Sequence, residues 1–354
     1  SDRCTDYRGS GGEDERFLRR KRHPMKTRII LPDTDGISEA GAILRSGGLV
    51  AFPTETVYGL GANALDATAT KHIYEAKGRP SDNPMIVHVA SIDMLNSVAS
   101  GVTDEQKSLM RKLWPGPITF VLHKNPGVPD VTTGGLDTVA VRWPSRREAS
   151  EIIEAAGVPI AAPSANLSGK PSPTTFEDVA EDMDGRIDAI VKGERTAIGI
   201  ESTVLDLTSE VPTILRPGFI TKSQIEEAVD GEVQYDPSLF KKPGADDFHP
   251  KSPGMKYKHY APKAAVRIVE GSKDAVCAGI AELEAEAVSN KLRTAVLDYM
   301  GNGDKAANNF FADLRQCDRD GVDIIYIAAY DWDEVGFSVM NRMVKSAGYD
   351  IVNV

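Results

Sequence analysis

Five prolines fall within residues 236–262, namely Pro237, Pro243, Pro250, Pro253 and Pro262, in a stretch poor in aliphatic side chains. Each fixes φ near −65° and removes a backbone donor, so neither a helix nor a central strand can run through the stretch. It reads as a long extended linker, and any core must form on either side of it. With 354 residues, 41% of them apolar, the chain has enough material for two cores.

After the linker the rhythm is regular. Residues 265–269, 294–298, 324–328 and 350–354 read as strands, and 274–289, 305–317 and 333–347 as helices between them. That βαβαβαβ order predicts a small parallel, Rossmann-like sheet. No GxGxxG follows its first strand, so no nucleotide is assigned there. Before the linker, strands are expected at 49–52, 85–89, 118–122, 138–142, 160–162, 203–207 and 213–215. Helical periods fall at 36–46, 68–76, 103–113, 148–156 and 176–182, and Thr103 with Gln106 resembles a capping box. This predicts one mixed-sheet α/β domain over 25–235, a linker over 236–262 and a second domain over 263–354. Residues 1–24 have no hydrophobic period and carry seven Lys/Arg and five Asp/Glu. They read as a tag or upstream extension, or as a basic arm centred on Arg19–Arg22.

Charge and cysteine usage narrow the function classes. The net charge is −11, and the remainder is more acidic still once the first 24 residues are set aside. That argues against a broad electrostatic clamp on nucleic acid. No apolar run approaches the roughly 20 residues a membrane helix needs, and no secretory signal is recognisable, so a cytoplasmic protein is expected. Cys4, Cys277 and Cys317 lie far apart without a CxxC pair, which indicates neither a disulfide framework nor a zinc site. Cys277 and Cys317 are expected to be small buried hydrophobes. The six histidines show no HExxH spacing, so no protein-borne metal is expected.

Polar groups gather where strands of the first segment end, the usual place for ligands in open α/β sheets. Strand 49–52 runs into PTETVYGLG, residues 53–61, with Thr54, Glu55 and Thr56 as short polar groups and Gly59 and Gly61 permitting close backbone approach. A tight turn with capping residues would look the same. KGRPSDNP, residues 77–84, puts Lys77 and Arg79 on a stiff loop. Two such cations suit a polyphosphate, or merely complement the preceding helix C-terminus. His88 sits in an apolar strand, where a core role and a ligand role are both open. LWPGPITFVL, residues 113–122, reads as a stiff loop entering a buried strand. TVAVRWP, residues 138–144, alternates until Arg142, which could grip a carboxylate bidentately or pair with a surface acid. PIAAPSANLSGKPSPTT, residues 159–175, empties a strand into Ser164, Asn166, Ser168, Lys170 and Ser172, a hydroxyl- and amide-rich loop able to hold phosphate and ribose. Ser202, Thr203 and Arg216 add polar groups at further strand edges. There is no GxxxxGK[ST], GxSxG or kinase motif, so any ATP chemistry uses another scaffold.

In order and spacing, PTETVYGLG, KGRPSDNP with His88, LWPGPITFVL, TVAVRWP, SANLSGKPSPT, ESTVLD and ILRPG resemble the YrdC-like family. The linker with SPGMKYKHYAP and the second α/β segment are similar to its two-domain branch, the threonylcarbamoyl-AMP synthases. The resemblance covers about residues 25–354 and implies a twisted, concave YrdC-type domain holding ATP and L-threonine together. Carried over motif by motif, it implies Thr56, His88, Arg142, Ala162 and Ser202 around threonine. Arg79, Asn83, Thr138, Ser164, Ser172, Arg216 and Tyr260 would contact ATP, and Lys77 and Arg79 would serve the phosphates catalytically. The implied reaction takes L-threonine, bicarbonate and ATP, with Mg2+ carried on the phosphates, to threonylcarbamoyl-AMP and pyrophosphate. The product would pass to a downstream tRNA threonylcarbamoyltransferase, with a transient tRNA contact as a further expectation. YrdC-like domains also occur in larger hydrogenase maturation proteins, whose acylphosphatase-like and zinc-binding parts this sequence lacks. A non-enzymatic RNA-binding or ribosome-assembly module is the alternative of a different class. The linker exceeds the roughly 4–6 residues of an ordinary connection. It carries Lys256, Tyr257, Lys258, His259 and Tyr260, and is expected to act as a lid over the cleft.

Overall fold

The computed structural model describes residues 26–240 and 260–354. The expected lid therefore lies mostly outside the described residues, as do Lys256 to His259 and the whole of 1–24.

Among the described residues, eleven strands of the first segment form one mixed sheet. They are β1 (Arg28–Ile30), β2 (Val50–Pro53), β3 (Tyr58–Asn63), β4 (Ile86–His88), β5 (Ile118–His123), β6 (Thr138–Arg142), β7 (Ile160–Ala161), β8 (Ala189–Val191), β9 (Thr203–Asp206), β10 (Thr213–Arg216) and β11 (Gln234–Tyr235). Their spatial order is β1-β8-β2-β3-β7-β4-β6-β5-β9-β10-β11. Side chains alternate across the central strands, as the period of 2 requires. Val87, Phe120, Val139, Val141, Leu205 and Ile214 enter the main core beneath helices Ala67–Lys77, Asp104–Leu113 and Lys222–Val229. In the opposite phase Ile86, Val121, Ala140, Val204 and Leu215 form a small separate cluster. Each fully buried side chain of this kind stabilises the fold by roughly 1.5–3 kcal/mol. The expected capping box is present: Gln106 N–H donates to Thr103 Oγ1 at 3.2 Å, and Thr103 N–H donates to Gln106 Oε1 at 3.1 Å.

The segment PTETVYGLG departs from its reading as a strand followed by a loop. Its second half is strand β3, antiparallel to β2 in a hairpin. Gly61 is there for packing: a Cβ would stand 2.7 Å from the Phe52 ring and 2.9 Å from Ile160.

The second sheet holds β12 (Ala265–Glu270), β13 (Thr294–Leu297), β14 (Ile324–Ala329) and β15 (Ile351–Asn353), all parallel, in the order β13-β14-β12-β15. The alternating pattern is as the sequence reads. Cys277 is not. Cys317 is buried but Cys277 is exposed, because Val276, Ile280 and Ala287 are the inward positions of its helix. No described helix is long and apolar enough to cross a membrane.

Helices Gly303–Asp320 and Glu334–Ser346 of the second segment lie against the first. Val57 and Ile200 share one apolar cluster with Phe310 and Phe311. The approach is close at Gly199, whose φ is +92°, and where a Cβ would stand 2.4 Å from the Ala307 carbonyl oxygen.

Candidate active site

Strand register assembles the site. His88 on β4 is the partner of Arg142 on β6, Arg142 of Thr119 on β5, and Thr119 of Val204 on β9. Val204 in turn partners Arg216 on β10, where the register shifts after Ile214 and re-aims the arginine. Registered neighbours share a face, and this face is the one away from the helical core. A cleft opens above it. Of the expected residues, Thr56, His88, Arg142, Ala162, Ser202, Arg79, Ser164, Arg216 and Tyr260 line the cleft. Lys77, Asn83, Thr138 and Ser172 are not in its lining. Thr54, Val57, Gly59, Ile86, Pro163 and Glu201 also line it, and of these only Glu201 adds a charge.

Arg142 is buried, with Nη1 and Nε hydrogen-bonded and Nη2 paired by charge only. Its Nη2 lies 2.7 Å from Glu55 Oε1, its Nη1 donates to Thr56 Oγ1 at 2.8 Å, and its Nε donates to the Gly116 carbonyl at 3.3 Å. The acid it pairs with is thus neither a ligand nor a surface group, and Gly116 of LWPGP gains a role in holding it. Burial opposes charge on Glu55, yet Arg142 outweighs that and holds the carboxyl below its usual range.

His88 is buried with its Nδ1 unpartnered among the described residues. Burial, with the Arg142 charge adding, pushes its pKa down to about 3. It is therefore neutral at pH 7, an acceptor or donor rather than a cation. The unfolded chain binds this proton below about pH 6.5 while the folded chain does not, so stability falls as pH drops through that window. The slope approaches ~1.4 kcal/mol per pH unit. His88→Gln should flatten the acid limb of the thermal midpoint against pH between 6.5 and 4. An unaltered limb would show that His88 is protonated in the fold.

The cations differ in their commitments. Lys77 Nζ donates to the carbonyls of Ser164 and Asn166, so it ties down the loop carrying Ser164. Burial holds its basicity well below the ordinary lysine range. Arg79 Nη2 donates to the carbonyls of Pro84 at 3.0 Å and Asn83 at 3.4 Å, while its Nε has no partner among the described residues. Burial lowers its pKa to about 10, still charged at neutral pH. Arg216 donates to Ser202 through Nε to the carbonyl at 3.0 Å and Nη2 to Oγ at 3.1 Å; Thr119 Oγ1 sits 2.8 Å from that Oγ. Asn83 Oδ1 is buried and unpartnered among the described residues. Sequence reading named Glu55 only as a turn group and passed over Glu201. An acid inside a polar segment reads as solvated until its partner is known, and both partners lie far along the chain.

Residues 42–218 match the Sua5, YciO and YrdC family model, described as telomere recombination. Residues 220–348 match the model described as threonylcarbamoyl-AMP synthase, C-terminal domain. A threonylcarbamoyl-AMP synthase of Pyrococcus abyssi is 48% identical over 326 residues, covering 89% of this chain and 95% of that one. One from Bacillus subtilis is 45% identical, with 89% and 94% covered. One from Schizosaccharomyces pombe is 35% identical, with 92% of each covered. The crystal structure of P. abyssi Sua5 complexed with L-threonine superposes with a TM-score of 0.88 at 46% identity, over 93% of this chain and all of that one. These likenesses favour the enzymatic reading over an RNA-binding module. With both regions matched in tandem and near-full-length relatives at this identity, the chain belongs to the two-domain threonylcarbamoyl-AMP synthase family.

Proposed function

We propose that the chain joins L-threonine, bicarbonate and ATP into threonylcarbamoyl-AMP and pyrophosphate, as a nucleotidyltransferase supplying tRNA threonylcarbamoylation. The observation that carries this is the convergence of Arg79, from the loop after helix Ala67–Lys77, with Arg142 and Arg216, each at a strand end, on one cleft that also holds neutral His88. In this reading Arg142 meets the threonine carboxylate. The guanidinium spends Nη1 on Thr56 and Nε on Gly116, while Nη2 stands beside the Glu55 carboxylate as an ion pair without a hydrogen bond, so N–H groups remain for the substrate. Thr56, His88, Ala162 and Ser202 complete the amino-acid pocket. Arg79, Ser164, Arg216 and Tyr260 face ATP, with Asn83, Thr138 and Ser172 at its edges. Lys77 serves the phosphates indirectly by fixing the Ser164 carbonyl.

The threonine amine attacks the carbon of bicarbonate with loss of water, or of CO2 with loss of a proton to solvent, and becomes a carbamate whose oxygen attacks the ATP α-phosphorus in line. The bond to the bridging oxygen breaks and pyrophosphate leaves. No covalent enzyme intermediate is needed, so positioning and cationic stabilisation of the transferring group supply the rate. Among the described residues no group of three or more His, Cys, Asp or Glu could hold a metal. Any Mg2+ would enter on the ATP phosphates, and none of the steps assigned to this chain's residues depends on it. The product would be handed to a threonylcarbamoyl transferase, and a transient tRNA contact fits that handover.

Omit-one assays test the reading. Pyrophosphate release and a product of the mass of threonylcarbamoyl-AMP should require ATP, L-threonine and bicarbonate together. Equal product formation without threonine sinks it.

A further inference from the structure

Arg342 lies in the second segment, on helix Glu334–Ser346, yet it is fully buried against the cleft wall of the first. Its Nε donates to Glu201 Oε2 at 3.2 Å and its Nη2 to the Glu201 carbonyl at 3.2 Å. Its Nη1 donates to the Pro217 carbonyl and, at 3.0 Å, to the Ser338 carbonyl. Ser338 Oγ adds a bond to the Gly218 carbonyl at 2.7 Å. One guanidinium therefore grips the chain beside Ser202, at the start of β9, and beside Arg216, at the end of β10. Glu201 in turn faces the cleft. Its Oε1 accepts from Ser172 Oγ at 2.5 Å, and its carboxylate is hydrogen-bonded by the Tyr260 hydroxyl. Tyr260 is itself stacked on Phe311 of the second segment, ring centroids 5.0 Å apart.

A carboxylate in the wall of a cleft built for a polyphosphate would repel its ligand if left charged and alone. Burial acts against its charge, but Arg342, Arg216 and Ser172 outweigh that and keep the carboxyl below its usual range. Arg342 thus lets Glu201 remain an anion and spend its acceptors on orienting Ser172 and Tyr260. We propose that Arg342 is a positioning residue of the nucleotide end of the cleft, acting through Glu201 and the Pro217 carbonyl, so that the second domain completes the ATP site rather than standing beside it. This rests on the synthase reading above for its assignment of ATP to that end.

The test compares full-length wild type with R342M, R342K and the double variant R342M/E201Q. KM for ATP and for threonine, kcat, the calorimetric Kd for ATP and the thermal midpoint are measured for each. R342M removes the guanidinium bonded to a buried carboxylate and is expected to lose stability. The double variant removes both charges and should recover much of it. Its KM and Kd for ATP should nevertheless stay raised by about 10-fold or more, with KM for threonine within about twofold, because the strand-end clamp and the orientation of Ser172 and Tyr260 are gone. R342K restores a charge without the fork and should likewise leave ATP binding weak. A stable double variant with wild-type ATP affinity overturns the proposal. So does a parallel rise of both KM values in step with the unfolded fraction, which is what a merely structural residue would give. Wild type that binds ATP but makes no threonine-dependent product would sink the reaction assignment instead, and the ATP titrations would still decide the clamp.

Discussion

Arg142→Ala is expected to cost about 3–5 kcal/mol of folding stability, the scale for stripping a buried ion of its counter-charge. The Arg142 and Glu55 side chains are only 4% and 9% exposed, so water cannot take over the lost contact. The pH response should change sign, which separates this effect from a simple cavity. In wild type the folded Glu55 carboxyl is depressed by Arg142. That contribution is present above the unfolded carboxyl pKa of about 4.3 and is lost as pH falls through the lower folded value. Without Arg142 burial is the largest remaining influence, opposed only by the backbone groups of Glu55 and Ser145, so the folded carboxyl is expected above its unfolded value and acidification through that range should restore stability. Urea melts at several pH values between 4 and 7 would read both slopes. Arg142→Met with Glu55→Gln should recover most of the stability but none of the threonine-dependent turnover. If the single variant melts like wild type with the same pH slope, the pair is not the buried anchor described here.

Arg79→Ala should do the reverse, lowering turnover strongly while leaving the fold nearly intact. Arg79 is partly buried on the loop of residues 77–84 and spends one nitrogen on two loop carbonyls, neutral groups whose loss of a partner strands no charge. Its Nε has no partner among the described residues and lies in the cleft wall, poised for an anion. Losing one hydrogen bond to a charged group costs roughly 1.5–3 kcal/mol, or about 10- to 150-fold in rate if the bond is made in the transition state. Single-turnover pyrophosphate release with a parallel thermal melt would measure both quantities. A variant that unfolds at working temperature would mark Arg79 as structural and remove it from the phosphate site. The contrast with Arg142 follows from burial and partners together: Arg142 is the counter-charge of buried Glu55, whereas Arg79 bonds only to neutral carbonyls.

The sequence by itself determined whatever depends on near neighbours along the chain. The alternation in TVAVRWP puts Val139 and Val141 in the core and so turns Arg142 the other way; the same period in MIVHV turns His88 away from Val87. The βα rhythm after residue 262 fixed the parallel sheet, and Thr103 with Gln106 fixed a helix start. Such patterns are legible because side-chain direction repeats every 2 or 3.6 residues whatever the rest of the chain does. Only the tertiary structure decided which charges meet. Lys77 looked like a phosphate ligand and is instead tied to carbonyls 87 and 89 residues away. No local pattern marks Glu201 or Arg342, and the fold brings them together across 141 residues. A charge can be buried only where a partner offsets its lost hydration. That partner's position is a property of the packed chain, and no local period encodes it.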